Sequence, residues 1–247
     1  MPHTLHVING SHPCAAVLRA LELKGIAVRL VEYLPPFHPP LLKLRFGYSH
    51  VPVLVLTSGE VVRGSRPIMQ RLEAIQPEPP LYPRDHIQAI EEAERWGDEV
   101  LQMAARRLLW TAMGGSPKSL SSFQAGSKLP GLPGPIIGLI APAVIAAERR
   151  MHGVTPERVR EAASSLPTMF DRIEEFHAAG AFGTSIPTGA DLQIGASLQL
   201  IRAIDDLRPL VDAHAHAREI ARWLPTSPGR VPAGGLPADY LQLAVSG

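Results

Sequence analysis

Cysteine is almost missing from this chain of 247 residues. Cys14 stands alone, so no disulfide can form within the chain and no Cys-rich zinc or iron–sulfur site can be built. Lysine is nearly as scarce, with 4 residues against 20 arginines, a skew that GC-rich coding explains as well as guanidinium chemistry does. Charged residues make up only 19% and the net charge is +1, which leaves no basic surface to attract a nucleic acid. The segment from Met1 to Gly10 lacks the basic start and apolar run of a secretory leader, which predicts a cytoplasmic protein. Three nucleotide and hydrolase signatures are missing too: the phosphate loop, the dinucleotide fingerprint and the G-x-S-x-G elbow. What the chain does have is apolar mass, at 45%, enough for a buried core in one or two domains. It also has 25 prolines, about twice the roughly 5% average usage, so its helices are expected to be sharply punctuated.

The prolines separate segments of different period. Thr4–Ile8 alternates like a strand, and Gly10-Ser11-His12-Pro13 opens a helix that ends at Lys24-Gly25. Ile26–Tyr33 is a β-branched strand stopped by the cluster Pro35–Pro40, after which a short helix spans Leu41–Phe46. Val51-Pro52 begins another strand, the turn Ser58-Gly59 makes a hairpin with Glu60–Arg63, and Ser65 N-caps a helix to about Ile75. Residues 1–77 therefore form one mixed domain. Residues 78–85, opening Glu78-Pro79-Pro80, read as a stiff linker, and 86–247 read as helices only.

In the helical part Asp85 starts a long helix with Ile87, Ile90, Gly97, Leu101, Ala104 and Leu108 on one stripe. Glu94 shares that stripe and either enters the interdomain cleft as a base or cation partner or, with a slight rotation of the helix, lies on the surface. Gly114–Pro135 reads as a loop. Pro135–Ala147 is apolar yet shorter than the roughly 20 residues of a membrane span, so a buried or interfacial helix is expected and no transmembrane segment. Another helix runs from Thr155-Pro156 to about Ala179. Leu192–Ile204 is apolar on every face and marks a central buried helix, entered through Thr188 and Asp191, which satisfy its first amides reciprocally. Asp191 is thus structural. His214 and His216 point to different sides of a helix and make an exposed polar face, so no metal site is expected. A last helix at Ile220–Leu224 ends in a Pro/Gly-rich tail.

The run from Val17 to Ile26, the Val51-Pro52 strand start, Gly64-Ser65-Arg66-Pro67-Ile68, and Thr188 with Asp191 fall in an order that resembles the glutathione S-transferase superfamily over nearly the whole chain. The resemblance implies a thioredoxin-like βαβαββα domain, an all-helical C-terminal domain, a homodimer, and a low-molecular-weight thiol bound as cosubstrate between the domains, with no covalently bound cofactor. It implies catalytic roles for Ser11, at the mouth of the first helix, and for Cys14, the second half of a CxxC pattern whose first cysteine is replaced by serine. A helix N-terminus favours a bound thiolate over a thiol. Ser11 is equally suited to capping the helix, and Cys14 to being a small buried residue. His12 either donates to a bound anion or lies exposed in the turn. By the same resemblance Val51 offers backbone pairing to the ligand, Pro52 is a cis proline, and Ser65 holds the ligand's carboxylate with its hydroxyl and amide, with Arg66 beside it as a candidate binding residue by its charge.

The departure is Gly64, where the family has an acidic or amide residue that receives the ammonium of glutathione. Arg63 and Arg66 flank that position, so the pocket is expected to prefer an anion. The combination of Gly-Ser-His-Pro-Cys and Gly-Ser-Arg is most similar to glutathione S-transferase-like proteins of actinobacteria, which implies mycothiol as an alternative to glutathione. Two functions remain open: a thiol transferase or reductase acting on a small hydrophobic electrophile, and a non-catalytic binding or scaffold protein with a degenerate thiol site.

Overall fold

The computed structural model describes residues 2–35, 37–130 and 133–245. Pro36 of the first proline cluster, residues 131 and 132 of the expected loop, and the last two residues of the helical segment lie outside the described residues.

The first domain contains β1 (His3–Val7), α1 (His12–Leu23), β2 (Val28–Glu32), α2 (His38–Phe46), β3 (Val53–Val55), β4 (Val61–Arg63) and α3 (Ser65–Ile75). The strands lie in the order β2-β1-β3-β4. β1 runs parallel to β2, with Leu5 opposite Leu30, and antiparallel to β3, with Leu5 opposite Leu54; β3 and β4 form the hairpin. The expected alternation in β1 breaks down, because His6 is buried along with Leu5 and Val7. Helices cover both faces of the sheet: His6 meets the edge of the Phe46 ring from α2, and its Nδ1 lies 2.9 Å from the Tyr33 hydroxyl. Burial holds its imidazole down at about 4 and so neutral.

The linker is tied back to this domain. Lys24, a helix-end residue in the sequence, buries its ammonium against Glu73 and donates to the carbonyls of Pro77 (3.0 Å) and Pro79 (2.7 Å), while Glu73 accepts from the Leu81 amide. After a 3₁₀ turn at Arg84–His86 come α4 (Ile87–Trp96) and α5 (Gln102–Gly115), joined without a break through a wide π turn at Gly97–Leu101. A 3₁₀ segment (Pro117–Gln124) follows, then α6 (Gly134–Met151), α7 (Pro156–Ser164), α8 (Leu166–Ala178), α9 (Gly189–Arg202), α10 (Arg208–Ala213), α11 (Ala215–Ala221) and α12 (Ala238–Val245). The architecture is a thioredoxin-like domain followed by an all-helical one.

α9 is the axle of the molecule. Every residue from Gly189 to Ile201 is buried, and the helix packs on α4, α5 and α11 of its own domain and on α1 and α3 of the other. Its entrance is closed as the sequence indicated. Thr188 Oγ1 accepts from the Asp191 amide, and the Asp191 carboxylate accepts from the amides of Thr188 (2.8 Å) and Gly183 (2.7 Å). Gly97 lets α4 come this close, since a Cβ there would stand 2.8 Å from Ile194 Cγ1.

Several expectations need correction. Residues 114–135 are not simply a loop: α5 runs to Gly115 and the 3₁₀ segment follows it. The tail carries a further helix, α12. The apolar segment is a helix as expected, α6, but a longer one that runs on through Pro142 to Met151. It buries Ile137, Ala141, Val144, Ile145 and Glu148 and turns Leu139, 82% exposed, outward. His214 stacks on Phe170, and His216 stacks on His177 and pairs with Glu174, so neither belongs to an open polar face. Among the described residues no helix is long and apolar enough to cross a membrane.

Candidate functional site between the two domains

Ser11 is the N-cap of α1 in an extended conformation, but its side chain bonds no helix amide, so capping does not occupy the hydroxyl. It is half-buried at the wall of a cavity of about 130 Å³ between the domains. His12 lines the same cavity. It is buried, not exposed in a turn as one reading of the sequence had it, and burial with the nearby Arg106 charge keeps its imidazole neutral. Cys14 lies one turn further in, 2% exposed, where burial pushes its thiol up to about 11 against the opposing influence of Ser11 and the Ile8 backbone. A thiol with that pKa is protonated at neutral pH, which fits Cys14 as a packing residue rather than a nucleophile.

The Val51–Pro52 bond is cis, and the Pro52 carbonyl accepts from the Gly64 amide at 3.0 Å. Ladder pairing begins at Val53, so Val51 stands before the sheet and faces the cleft. It lines both the Ser11 cavity and a second one of about 220 Å³, whose walls also carry Gly64, Ser65, Tyr48 and Asp98. His50, Arg106, Met151 and His152 are likewise common to the two cavities, which therefore adjoin in the interdomain cleft. Ser65 is the first residue of α3, with Gly64 rather than Ser65 at the N-cap. Gly64 sits at φ 86° and ψ 153°, a conformation essentially restricted to glycine.

The flanking arginines do not supply the charge of this cleft. Arg63 donates to the Phe46 carbonyl at 2.9 Å. Arg66 donates to Glu94 at 3.2 Å, and neither arginine lines either cavity. Glu94 is fully buried, contrary to the surface position considered for it, and also accepts from Gln70 and the Tyr82 hydroxyl. Burial raises its carboxyl to about 7 even though Tyr82, Arg66 and Gln70 all favour the ionised form. This network braces α3 to α4 across the domain boundary.

The cation of the cleft is Arg106 on α5, which no carboxylate salt-bridges among the described residues. Asp98, in the wide turn, brings a carboxylate into the Ser65 cavity, where it accepts from Gln102 at 3.0 Å. Sequence reasoning singled out neither residue. The one available signal was the pair Arg106-Arg107 set between Ala105 and Leu108, which does not separate the two arginines. The floor is held by Asn9, whose side chain donates to the carbonyls of Phe123 (2.7 Å) and Ala125 (3.0 Å), pinning the 3₁₀ segment beside Ser11. No group of three or more His, Cys, Asp or Glu is placed to hold a metal ion among the described residues.

Residues 5–80 match the sequence family described as the glutathione S-transferase N-terminal domain, and the fold of the whole chain is that of the glutathione S-transferases. The chain is similar to a solved glutathione S-transferase from Rhodospirillum rubrum F11, at 18% identity and a TM-score of 0.60, with 98% of this chain and 99% of that one covered. It is similar to FzlA from C. crescentus, at 18% identity and a TM-score of 0.63 over the same shares. A GST-like protein from Pseudomonas syringae aligns at 20% identity and a TM-score of 0.58, covering 90% of this chain and 66% of that one. No curated protein matches the sequence.

Proposed function

We infer that the protein is a glutathione S-transferase-like enzyme that binds a low-molecular-weight thiol in the interdomain cleft and directs its thiolate at an electrophile. The observation that carries this reading is the interdomain cleft in which the two cavities adjoin: Ser11 lines one, Ser65 the other, and Val51 both. A thiol peptide lying along it presents its backbone to Val51, its carboxylate to the N-terminal turn of α3, and its sulfur to Ser11. The Ser11 hydroxyl donates to the sulfur anion, and the α1 N-terminus favours the charged form. Stabilisation by about two pK units takes a thiol of pKa roughly 8.5 from a few per cent to mostly ionised at pH 7.

Asp98 bears on which thiol. Gly64 has no acceptor for the ammonium of glutathione, but the Asp98 carboxylate lines the same cavity. That favours glutathione over mycothiol. Calorimetry with both thiols tests the point: Asp98→Asn is expected to weaken glutathione binding by about tenfold or more and to leave any mycothiol binding unchanged. Failure of both thiols to bind at millimolar concentration overturns the enzyme reading. The competing function, a non-catalytic binding or scaffold protein, draws on Gly64 and on the unionised Cys14, and it predicts thiol binding with no turnover of an aromatic halide. On the resemblance to the family, the working unit is a cytoplasmic homodimer, which light scattering at micromolar concentration checks.

A further inference from the structure

The most exposed large apolar side chains of the molecule are concentrated on one face. Among the described residues five are more than half exposed: Phe37 (67%), Leu41 (53%) and Leu44 (88%) on α2 and its N-cap, Leu139 (82%) on α6, and Val245 (56%) on α12. Apolar residues scattered singly over a surface are ordinary, whereas a cluster marks a contact. Phe37, Leu41 and Leu44 follow the i, i+4, i+7 spacing of one helix face, turned away from the buried His38, Leu42 and Phe46. α6 has no charged residue from Gly134 to Ala147, and its outer side carries Ile136, Gly138, Leu139, Pro142, Ala143 and Ala146. The two helices border one opening. A cavity of about 350 Å³ has Phe37 on its wall from one side and Ile137, Ile140 and Ala143 from the other, so both faces belong to one surface around its mouth.

Charge limits what covers this surface. Residues 33–47 contain Lys43 and Arg45, and residues 116–147 contain Lys118 and Lys128, with no Asp or Glu in either stretch. All four cations are exposed, and none forms an ion pair among the described residues. The acid on the cavity wall, Glu32, is taken up by the Ser127 hydroxyl and the Lys128 amide. A second copy set face to face would bring these cations against their like, with no acid to answer them. An anionic lipid surface meets both demands, because its headgroups attract the cations and its acyl boundary takes the protruding apolar side chains. We propose that the α2–α6 face docks on an anionic phospholipid bilayer, lying in the interface rather than crossing it, with Leu44 and Leu139 as anchors and Lys43 and Arg45 at headgroup level. The apolar stretch 134–147 is too short to span a bilayer and long enough to lie on one. The cavity mouth then opens onto the lipid. The docking is independent of the thiol reading and is tested without thiol.

The test is co-sedimentation of the full-length protein with sucrose-loaded vesicles, one set of equal parts phosphatidylglycerol and phosphatidylcholine and one of phosphatidylcholine alone. The wild type is expected to partition onto the anionic vesicles at least about tenfold more strongly, since each cation near such a surface adds about fivefold. Leu44→Ser/Leu139→Ser is expected to lower that partition at least about tenfold through lost apolar insertion, and Lys43→Gln/Arg45→Gln by about fivefold or more. Val245→Ser, which removes the fifth exposed side chain from α12, is expected to leave it unchanged. No binding to the anionic vesicles, equal binding to both compositions, undiminished binding in either folded double variant, or an equal loss in Val245→Ser each overturns the proposal. Self-association in light scattering that Leu44→Ser/Leu139→Ser abolishes, with vesicle binding absent, overturns it in favour of a second copy on this face. Circular dichroism checks each variant, and should one double variant unfold, the other decides.

Discussion

Ser11 and Cys14 stand three positions apart at one helix mouth, but their surroundings give them opposite chemistry. Ser11 has a hydroxyl free of capping bonds on a cavity wall, whereas Cys14 is sealed into the core with its thiol pushed up to about 11. Cys14 is therefore expected to resist iodoacetamide at pH 7.5 in the native protein and to react within minutes in denaturant, as read by mass spectrometry. Ser11→Ala is expected to lower kcat for thiol conjugation by about 10- to 100-fold, in the range of losing one donor to a developing anion, while Cys14→Ala stays within about threefold of wild type. Loss of activity in Cys14→Ala with Ser11→Ala unaffected would transfer the role to the cysteine. Ser11, Val51 and Ser65 were legible in the sequence because each lies in a local motif with a turn or helix start attached. Arg106 and Asp98 were not, because their meaning comes from which helix faces which across the cleft.

Among the elements, α9 shows how far local rules reach. Thr188-x-x-Asp191 ahead of an apolar run specifies a capped, buried helix, because the first amides need acceptors that water cannot provide there. Asp191→Ala strands the amides of Thr188 and Gly183 and is expected to cost about 2–4 kcal/mol in urea unfolding. The start of α3 obeys a different local rule. Gly64 has room for a side chain, with its nearest neighbours 3.6 Å or more from a built Cβ, but not the backbone angles for one. Gly64→Ala is expected to destabilise by about 1–3 kcal/mol through strain alone and to weaken thiol binding at Ser65. The elements that escaped prediction, the 3₁₀ segment and α12, are eight residues each; the first is rich in Ser, and the second follows a Pro/Gly-rich stretch. They are held by contacts with distant residues, such as Asn9 on Phe123 and the Ser122 hydroxyl with the Arg230 backbone. Such contacts have no signature in a window of ten residues.

At the level of the molecule, the two domains are locked by α9 against α1 and α3, by Arg19 donating to the Trp223 carbonyl, and by the buried Glu94 network. Glu94 gives that lock a pH dependence. Its carboxyl holds its proton more tightly folded, at about 7, than unfolded, near 4.5. The stability it contributes is therefore complete below pH 4.5 and is lost as pH rises through 7. Glu94→Gln resembles the protonated form, so thermal unfolding is expected to show the variant gaining on wild type between pH 5 and pH 8; a difference that stays flat over that range would refute the shifted carboxyl. The wide turn at Gly97–Leu101 has a further consequence for the whole. By taking one residue more than an α-helical turn, it sets the azimuth of α5 back by about 100° relative to α4. The helix thus works as two cams on one shaft, the first pressing Glu94 into the brace and the second turning Arg106 into the cleft. Deleting a single residue from the turn would bring the cams back into phase and carry the cleft's cation away from it, with every contact of α3 on Glu94 left in place.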